Sequence, residues 1–288
     1  ERTIHGIDYA LKVLKVPEVG TTHARKKLRD IVEGTCNELD NYLTLKARSI
    51  NPADDLIKQA GNNLLSTQSD PHENIAQLER VILQSGAIPV FCCEYCRGGA
   101  LDHLLYVSSW APTKNDILKF IIEIGGALDH LHTAYSDKDG LVPILHRDLK
   151  SPNILLTDAP KKGVDFTGLF KLTDFGLSKE KKFREGEDRQ TGQMTGCGSV
   201  LWMAPEILAG EIYNEKIDIY SFGMTILEMV DKNLPWHNIA DVEEVPFRVN
   251  NRQRPIKQLT RATEIVRGII EDCWAQEPSN RPKAGDLV

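Results

Sequence analysis

The sequence has 288 residues, 41% hydrophobic and 26% charged, which is an ordinary globular composition with enough chain for one large domain or two lobes. A formal net charge of −6 argues against a nucleic-acid partner, because such chains carry a basic excess. No apolar run approaches the roughly 18 residues that span a bilayer, so no membrane partner is expected within this segment.

The first hundred residues mix strand-like and helix-like pieces. Residues 9–14 are apolar and β-like. Residues 23–46 carry Leu28, Ile31, Val32, Leu39, Tyr42 and Leu43 near helical spacing. A second short helix is expected over 52–60, with Asn51 as its cap, Pro52 first, and Gly61 as the stop. Residues 88–93 predict a buried strand. The cluster Cys92, Cys93 and Cys96 could suggest zinc, but a structural site needs about four ligands, usually as two close pairs, and no second pair exists. The six cysteines read as reduced thiols, which makes a cytoplasmic location the expectation.

After Arg97, Gly98 and Gly99 the pattern changes to long helices. Over 115–135, Ile117, Ile121, Ile124, Leu128 and Leu131 recur at steps of 4, 3, 4 and 3, one face of a helix. Residues 218–230 and 263–275 are also helical and apolar. A small mixed lobe therefore precedes a larger helical one, and clefts between lobes favour small-molecule sites.

Residues 145–156 read LHRDLKSPNILL, in which His146, Arg147, Asp148, Lys150 and Asn153 sit among apolar residues. Burying unpaired charge costs several kcal/mol, so these groups must face a cleft that uses them. The run from His146 to Asn153 resembles the catalytic loop of protein kinases. Asp174, Phe175 and Gly176 follow, then Ala204, Pro205 and Glu206, while Ala10, Leu11 and Lys12 upstream resemble the lysine strand. One tripeptide is weak evidence; four motifs in the right order are strong.

The resemblance implies an α+β, two-lobed kinase-like fold. Residues 1–97 would form a small β-rich lobe with a regulatory helix, and 98–288 a larger, mainly helical lobe. It implies ATP and Mg²⁺ as cofactors and a protein as the substrate. Asp148 would take the proton of the substrate hydroxyl, Lys150 would steady the moving phosphate, and Asn153 with Asp174 would hold Mg²⁺. Lys12 would grip the α- and β-phosphates. Cys93 would stand behind the adenine, Glu94 and Cys96 would pair with it through their backbone, and Ala10 and Leu155 would sandwich its ring. Asp218 would hold the catalytic-loop backbone, and Arg281 would pair with Glu206. Lys150, two residues after Asp148, is the serine/threonine pattern; Trp202 to Glu206 and Cys273 with Trp274 look like the tyrosine-kinase-like group. Ser199 would touch the catalytic Asp and Lys. A phosphate on Thr195, or secondarily Thr191, placed by an upstream kinase or by self-phosphorylation, would pair with Arg147 and raise activity.

The pattern also departs from the family. No Gly-x-Gly-x-x-Gly precedes Lys12, and a longer chain carrying it is expected. The last residues read as an interrupted helix. Glu38 fits best as the partner of Lys12; Glu33 is a rival, and a third alignment places Ala60 and Gly61 at that position, leaving no pair. Residues 47–71 form an insertion. The 26 positions from Asp148 to Asp174 exceed the usual spacing, with the excess expected in a surface turn over 158–168. The absent glycine loop and the ambiguous glutamate leave one alternative, a pseudokinase acting as a nucleotide-binding or scaffolding module.

Overall fold

The computed structural model describes residues 2–4, 7–13, 72–82, 90–133, 136–137, 140–141, 143–174, 179–180 and 199–288. The helices expected over 23–46 and 52–60 lie outside them, as do Glu33 and Glu38.

Four strands form the sheet of the first lobe: β1 (Arg2–Ile4), β2 (Ile7–Val13), β3 (Leu78–Ile82) and β4 (Val90–Glu94). The spatial order is β1-β2-β4-β3, all antiparallel. In this register Ala10 stands opposite Cys93 and Lys12 opposite Phe91. Phe91 and Cys92 are fully buried, which anchors β4 in the core.

The chain leaves this sheet through Tyr95 to Gly98 and enters β5 (Gly99–Ala100). The joint lies tight against the loop region that follows it in space. The Arg97 N–H donates to the Thr157 carbonyl at 3.0 Å and the Gly98 N–H to that of Leu156 at 2.9 Å. A Cβ on Gly98 would lie 2.2 Å from the Asp158 oxygen, so only glycine fits here. Gly99 takes φ +80°, a conformation that glycine adopts freely.

The second lobe is mainly helical. Its helices are α1 (Leu101–Tyr106), α2 (Lys114–Thr133), α3 (Pro205–Leu208), α4 (Lys216–Asp231), α5 (Val245–Asn250) and α6 (Glu264–Cys273). Short pairings complete it: β6 (Ser136–Asp137) with β7 (Gly140–Leu141), and β8 (Ile144–Leu145) with β11 (Lys179–Glu180). A hairpin of β9 (Ile154–Leu156) and β10 (Phe170–Leu172) pairs with β5 to make a three-stranded sheet.

The helix predicted over 115–135 starts one residue earlier, because Thr113 caps it. The Asp116 N–H donates to Thr113 Oγ1 at 3.1 Å, and the Thr113 N–H donates back to Asp116 Oδ2 at 2.8 Å. Ile121, Ile124, Leu128 and Leu131 of the predicted stripe are buried, and Ile117 packs against them half-buried. Phe120 joins them and meets Phe170 edge-on and Phe222 tilted, with centroids 5.3 and 5.6 Å apart. Thr263 caps α6, its side chain accepting from the Val266 N–H. The chain ends in a 3-10 turn, Ala284–Leu287.

Helix α4 is buried almost all round and is the centre of this lobe. Gly223 permits its crossing with α6, since a Cβ there would meet Cys273 Cβ at 2.6 Å.

The segment 158–168, expected as a free surface turn, is only partly so. Most of it is exposed, but Phe166 is buried, packing on Phe170. The Phe166 N–H donates to Asp116 Oδ1 at 2.6 Å, and Asp165 accepts from Thr113 Oγ1 and Asn115 Nδ2. One apolar side chain and the start of α2 thus hold the extra residues down.

Candidate active site

The stretch 145–156 runs β8, a turn, one 3-10 turn (Ser151–Asn153) and β9. Leu145, Leu149, Ile154 and Leu156 are buried in the core and fix its path. Between them the side chains of His146, Asp148, Lys150, Ser151 and Asn153 are paired, as the cost of burial requires.

Asp148 is the hub of these pairs. Its Oδ1 accepts from Lys150 Nζ and from Ser199 Oγ, both at 2.9 Å. Lys150 Nζ also donates to Ser199 Oγ at 2.8 Å. Asn153 Nδ2 donates to the Asp148 carbonyl at 2.7 Å and to Asp148 Oδ2 at 3.0 Å. With the amide nitrogen so committed, the amide oxygen of Asn153 is the atom left to face a cation. The Asp148 and Lys150 side chains are 11% and 19% exposed, so they open to solvent on one side only.

The turn carrying Asp148 is held from below. Asp218, the third residue of α4, accepts from the His146 N–H through Oδ2 and from the Arg147 N–H through Oδ1, both at 2.8 Å. His132 Nε2 lies 3.0 Å from Asp218 Oδ2. Burial works to raise the Asp218 pKa, but His132, His146 and the backbone donors outweigh it, leaving the carboxyl below its ordinary value. Arg147 itself takes φ 69°, a left-handed conformation strained for any residue with a Cβ, and the two backbone bonds to Asp218 hold it there. Its guanidinium stands 5.7 Å from the ring of Tyr213.

Asp174 follows β10 and also has a positive φ, 67°. Lys12 Nζ donates to its Oδ1 at 3.1 Å, bringing the two lobes together. Both side chains are partly exposed, 38% and 44%, so the pair is weak on its own and open to exchange partners. Asn153 and Asp174 supply two oxygen donors, which fits Mg²⁺, an ion that takes one or two protein ligands and completes its shell with phosphate and water. Among the described residues no group of three or more His, Cys, Asp or Glu could hold a metal by itself.

At the joint, the Cys96 carbonyl accepts from the Gly99 N–H at 3.1 Å. The Cys96 thiol is buried, and burial pushes its pKa up to about 12, which makes it unreactive. The side chain of Glu94 is tied away from the cleft, its Oε2 accepting from Lys171 Nζ at 2.9 Å. Cys93, Ala10 and Leu155 are half-buried; Leu155 is opposite both Lys171 and Ala100 in the small sheet.

Arg281 and Glu206 form a buried pair in the second lobe. Nη1 and Nη2 of the arginine donate to the two carboxylate oxygens at 2.6 and 2.8 Å. The remaining donors reach the carbonyls of Lys216, Ala275 and Gln276, so all five N–H groups are used.

The structure thus brings Asp148, Lys150, Asn153 and Ser199 into one cluster and sets Lys12 against Asp174. Glu38, Thr191 and Thr195 lie outside the described residues. Sequence reasoning passed over His132, Ser151, Lys171 and Glu228. The available signal for Glu228 was a carboxylate set among Ile226, Leu227, Met229 and Val230, ten residues after Asp218, where a charge must find partners.

The profile of the protein kinase domain matches residues 42–288. Similar curated proteins include mitogen-activated protein kinase kinase kinase 10 of Mus musculus, 30% identical over 75% of this chain and 21% of that protein. Mitogen-activated protein kinase kinase kinase 11 of Rattus norvegicus is 32% identical over 75% of this chain and 24% of its own length. Mitogen-activated protein kinase kinase kinase dlk-1 of Caenorhabditis briggsae is 33% identical over 73% and 22%. The chain therefore matches less than a quarter of the length of these relatives. With the profile covering most of the chain and the two-lobed arrangement beneath it, the chain belongs to the protein kinase family, in its tyrosine-kinase-like group.

Proposed function

We propose that this protein transfers the γ-phosphoryl group of ATP to serine or threonine hydroxyls of a protein substrate, with Mg²⁺. The observation that carries the reading is the Asp148, Lys150, Asn153 and Ser199 cluster, with Lys12 and Asp174 beside the cleft between the lobes.

Phosphoryl transfer asks little covalent chemistry of the protein; positioning and charge neutralisation do most of the work. Asp148 orients the incoming hydroxyl and accepts its proton. Its place in the cluster is shared by Ser199, whose hydroxyl already donates to Oδ1. Lys150 stands between both and offers positive charge to the transferring phosphoryl group. Lys12 binds the non-transferred phosphates, and Asn153 and Asp174 hold the Mg²⁺ that neutralises phosphate charge when bound. Glu94 and Cys96 present backbone to the adenine, with Ala10 and Leu155 on its two faces and Cys93 behind. Lys12 finds a second partner in Glu38.

The lobes divide at residues 1–97 and 98–288. The names of the relatives describe kinases acting on protein kinases, which supports a kinase as the substrate here. Regulation runs through Thr195 and Thr191, whose phosphates meet Arg147 after phosphorylation by an upstream kinase or by the protein itself; mass spectrometry of the active form reads the sites. The reduced cysteines support an intracellular location; no helix among the described residues is long and apolar enough to cross a membrane.

The test is transfer of labelled phosphate from ATP to protein substrates by the full-length protein, with and without Mg²⁺. The reading requires phosphoserine or phosphothreonine in the product and its loss in Asp148→Asn. Nucleotide binding without turnover would establish a binding module instead.

A further inference from the structure

Residues 72–76 form a seam between the two lobes. Asn74 Nδ2 donates to the Phe170 carbonyl at 3.0 Å, and the Leu172 N–H donates to the Asn74 carbonyl at 2.8 Å. The Ala76 N–H returns a bond to the Leu172 carbonyl at 2.8 Å, and Ile75 bridges Leu172 in parallel. Asn74, Ile75 and Ala76 are buried. They clasp β10, which ends two residues before Asp174. The shape of this segment therefore bears on the place of a proposed metal ligand.

The segment opens with a turn that His72 closes twice. Its carbonyl accepts from the Ile75 N–H at 3.0 Å, and its Nδ1 accepts from the Asn74 N–H at 3.1 Å. A backbone N–H can only donate, so Nδ1 carries a lone pair and the ring is neutral. Protonation would place a hydrogen on Nδ1, against the Asn74 N–H, and that bond would be lost. The surroundings act the same way. The ring lies over α2, where a Cβ on Gly126 would stand 3.6 Å from its Nε2. One turn further along α2, the His130 ring is 5.4 Å away, centroid to centroid, so a charge on both rings would repel. From β10 comes Lys171, itself paired with Glu94; next in the chain is Glu73. Burial first, and Lys171 after it, hold the His72 pKa below its ordinary 6.5, against the pull of Glu73.

We infer that His72 is a proton-sensitive clip on the seam between the lobes: neutral, it holds 72–76 against β10; protonated, it releases the Asn74 N–H and loosens the hold on the strand that leads to Asp174. The effect on nucleotide handling rests on the kinase reading of the site; the clip itself does not. The closed ring binds fewer protons than a ring open to solvent, whose ordinary pKa is 6.5. The seam is therefore at full strength above that pH and weakens as pH falls below it, by up to about tenfold at one unit lower.

The experiment compares the full-length wild type with His72→Asn and His72→Phe at pH 7.5 and pH 5.5. An asparagine oxygen accepts from the N–H two residues on, as Nδ1 does here, but does not titrate. Phenylalanine fills the space and accepts nothing. Mass spectrometry reads amide protection at 74–76 and 170–172, corrected for the intrinsic pH dependence of exchange. Protection in the wild type should fall about three- to tenfold on acidification, and less than about twofold in His72→Asn. In His72→Phe it should be low at both pH values. The KM for ATP should rise on acidification about threefold more in the wild type than in His72→Asn. Exchange of the imidazole C2 hydrogen in the wild type reports the pKa of the ring itself, which keeps the test alive if the variants do not fold. A His72 midpoint at or above the ordinary 6.5 would overturn the clip. So would an equal loss of protection in the wild type and His72→Asn. Protection that behaves as expected beside an unmoved KM for ATP would overturn the link to the nucleotide. An inactive wild type would count against the kinase reading, and amide exchange would still decide the clip.

Discussion

Asp148 is the residue on which the proposed chemistry turns, and it acts on the hydroxyl, not on the nucleotide. Asp148→Asn keeps the shape and one acceptor but cannot take the proton. General-base contributions run from about 10² to 10⁴, so single-turnover transfer should fall at least about a hundredfold while ATP affinity holds within about twofold. Equal loss of both would place Asp148 in nucleotide binding. Cys93 makes a second residue-level prediction. It faces Ala10 across the strand pair and is half-buried. Cys93→Phe should exclude inhibitors that extend behind the adenine, by overpacking worth about 1–3 kcal/mol. Competition binding with and without such an extension reads this; equal affinity in both proteins would remove Cys93 from that position.

At the scale of elements, two buried carboxylates on helices, Glu206 and Glu228, decide stability in opposite ways. Arg281 places all five donors, two of them on Glu206 at the start of α3. Arg281→Ala leaves the Glu206 carboxylate buried and unpaired, and should destabilise by about 3–5 kcal/mol. Chemical denaturation checks it, and Arg281→Lys should recover little, because an ammonium cannot reproduce the fork. Glu228 on α4 has its pKa raised, to about 7, from an ordinary 4.5. The folded chain therefore binds more protons than the unfolded chain between those values. Stability from this group is lost as pH rises through that window, and Glu228→Gln should flatten that part of the curve. Denaturation at pH 5 and pH 8 in both proteins gives the comparison; parallel curves would contradict it.

At the scale of the whole molecule, the joint between lobes is as tight as any helix contact. Gly98→Ala puts a Cβ 2.2 Å from a carbonyl oxygen of the loop after β9, and 2.7 Å from Leu156 Cβ. The joint must move, at about 1–3 kcal/mol, and ATP affinity should fall with stability because the adenine-facing backbone moves with it. A stable variant with unchanged ATP affinity would show the joint to be slack. Much of the candidate site was anticipated through the resemblance to protein kinases: Asp148, Lys150 and Asn153 lie within six residues, and it is their order with Asp174, Glu206, Asp218 and Arg281 that carries the likeness. The apolar stripe of α2 was legible too, since helical period and burial coincide there. What sequence could not give was pairing across distance. Asn115 joins Asp165 over 50 positions and Glu228 joins Ser151 over 77, whereas the contact of Ser199 with Lys150 was expected only from the family resemblance. Nothing in local propensity selects those partners. The sequence by itself determined which motifs the chain carries, in what order, and which faces are apolar; the packing of α4 decided which polar groups share one buried space, because a buried carboxylate must be satisfied by whatever donors the fold brings to it.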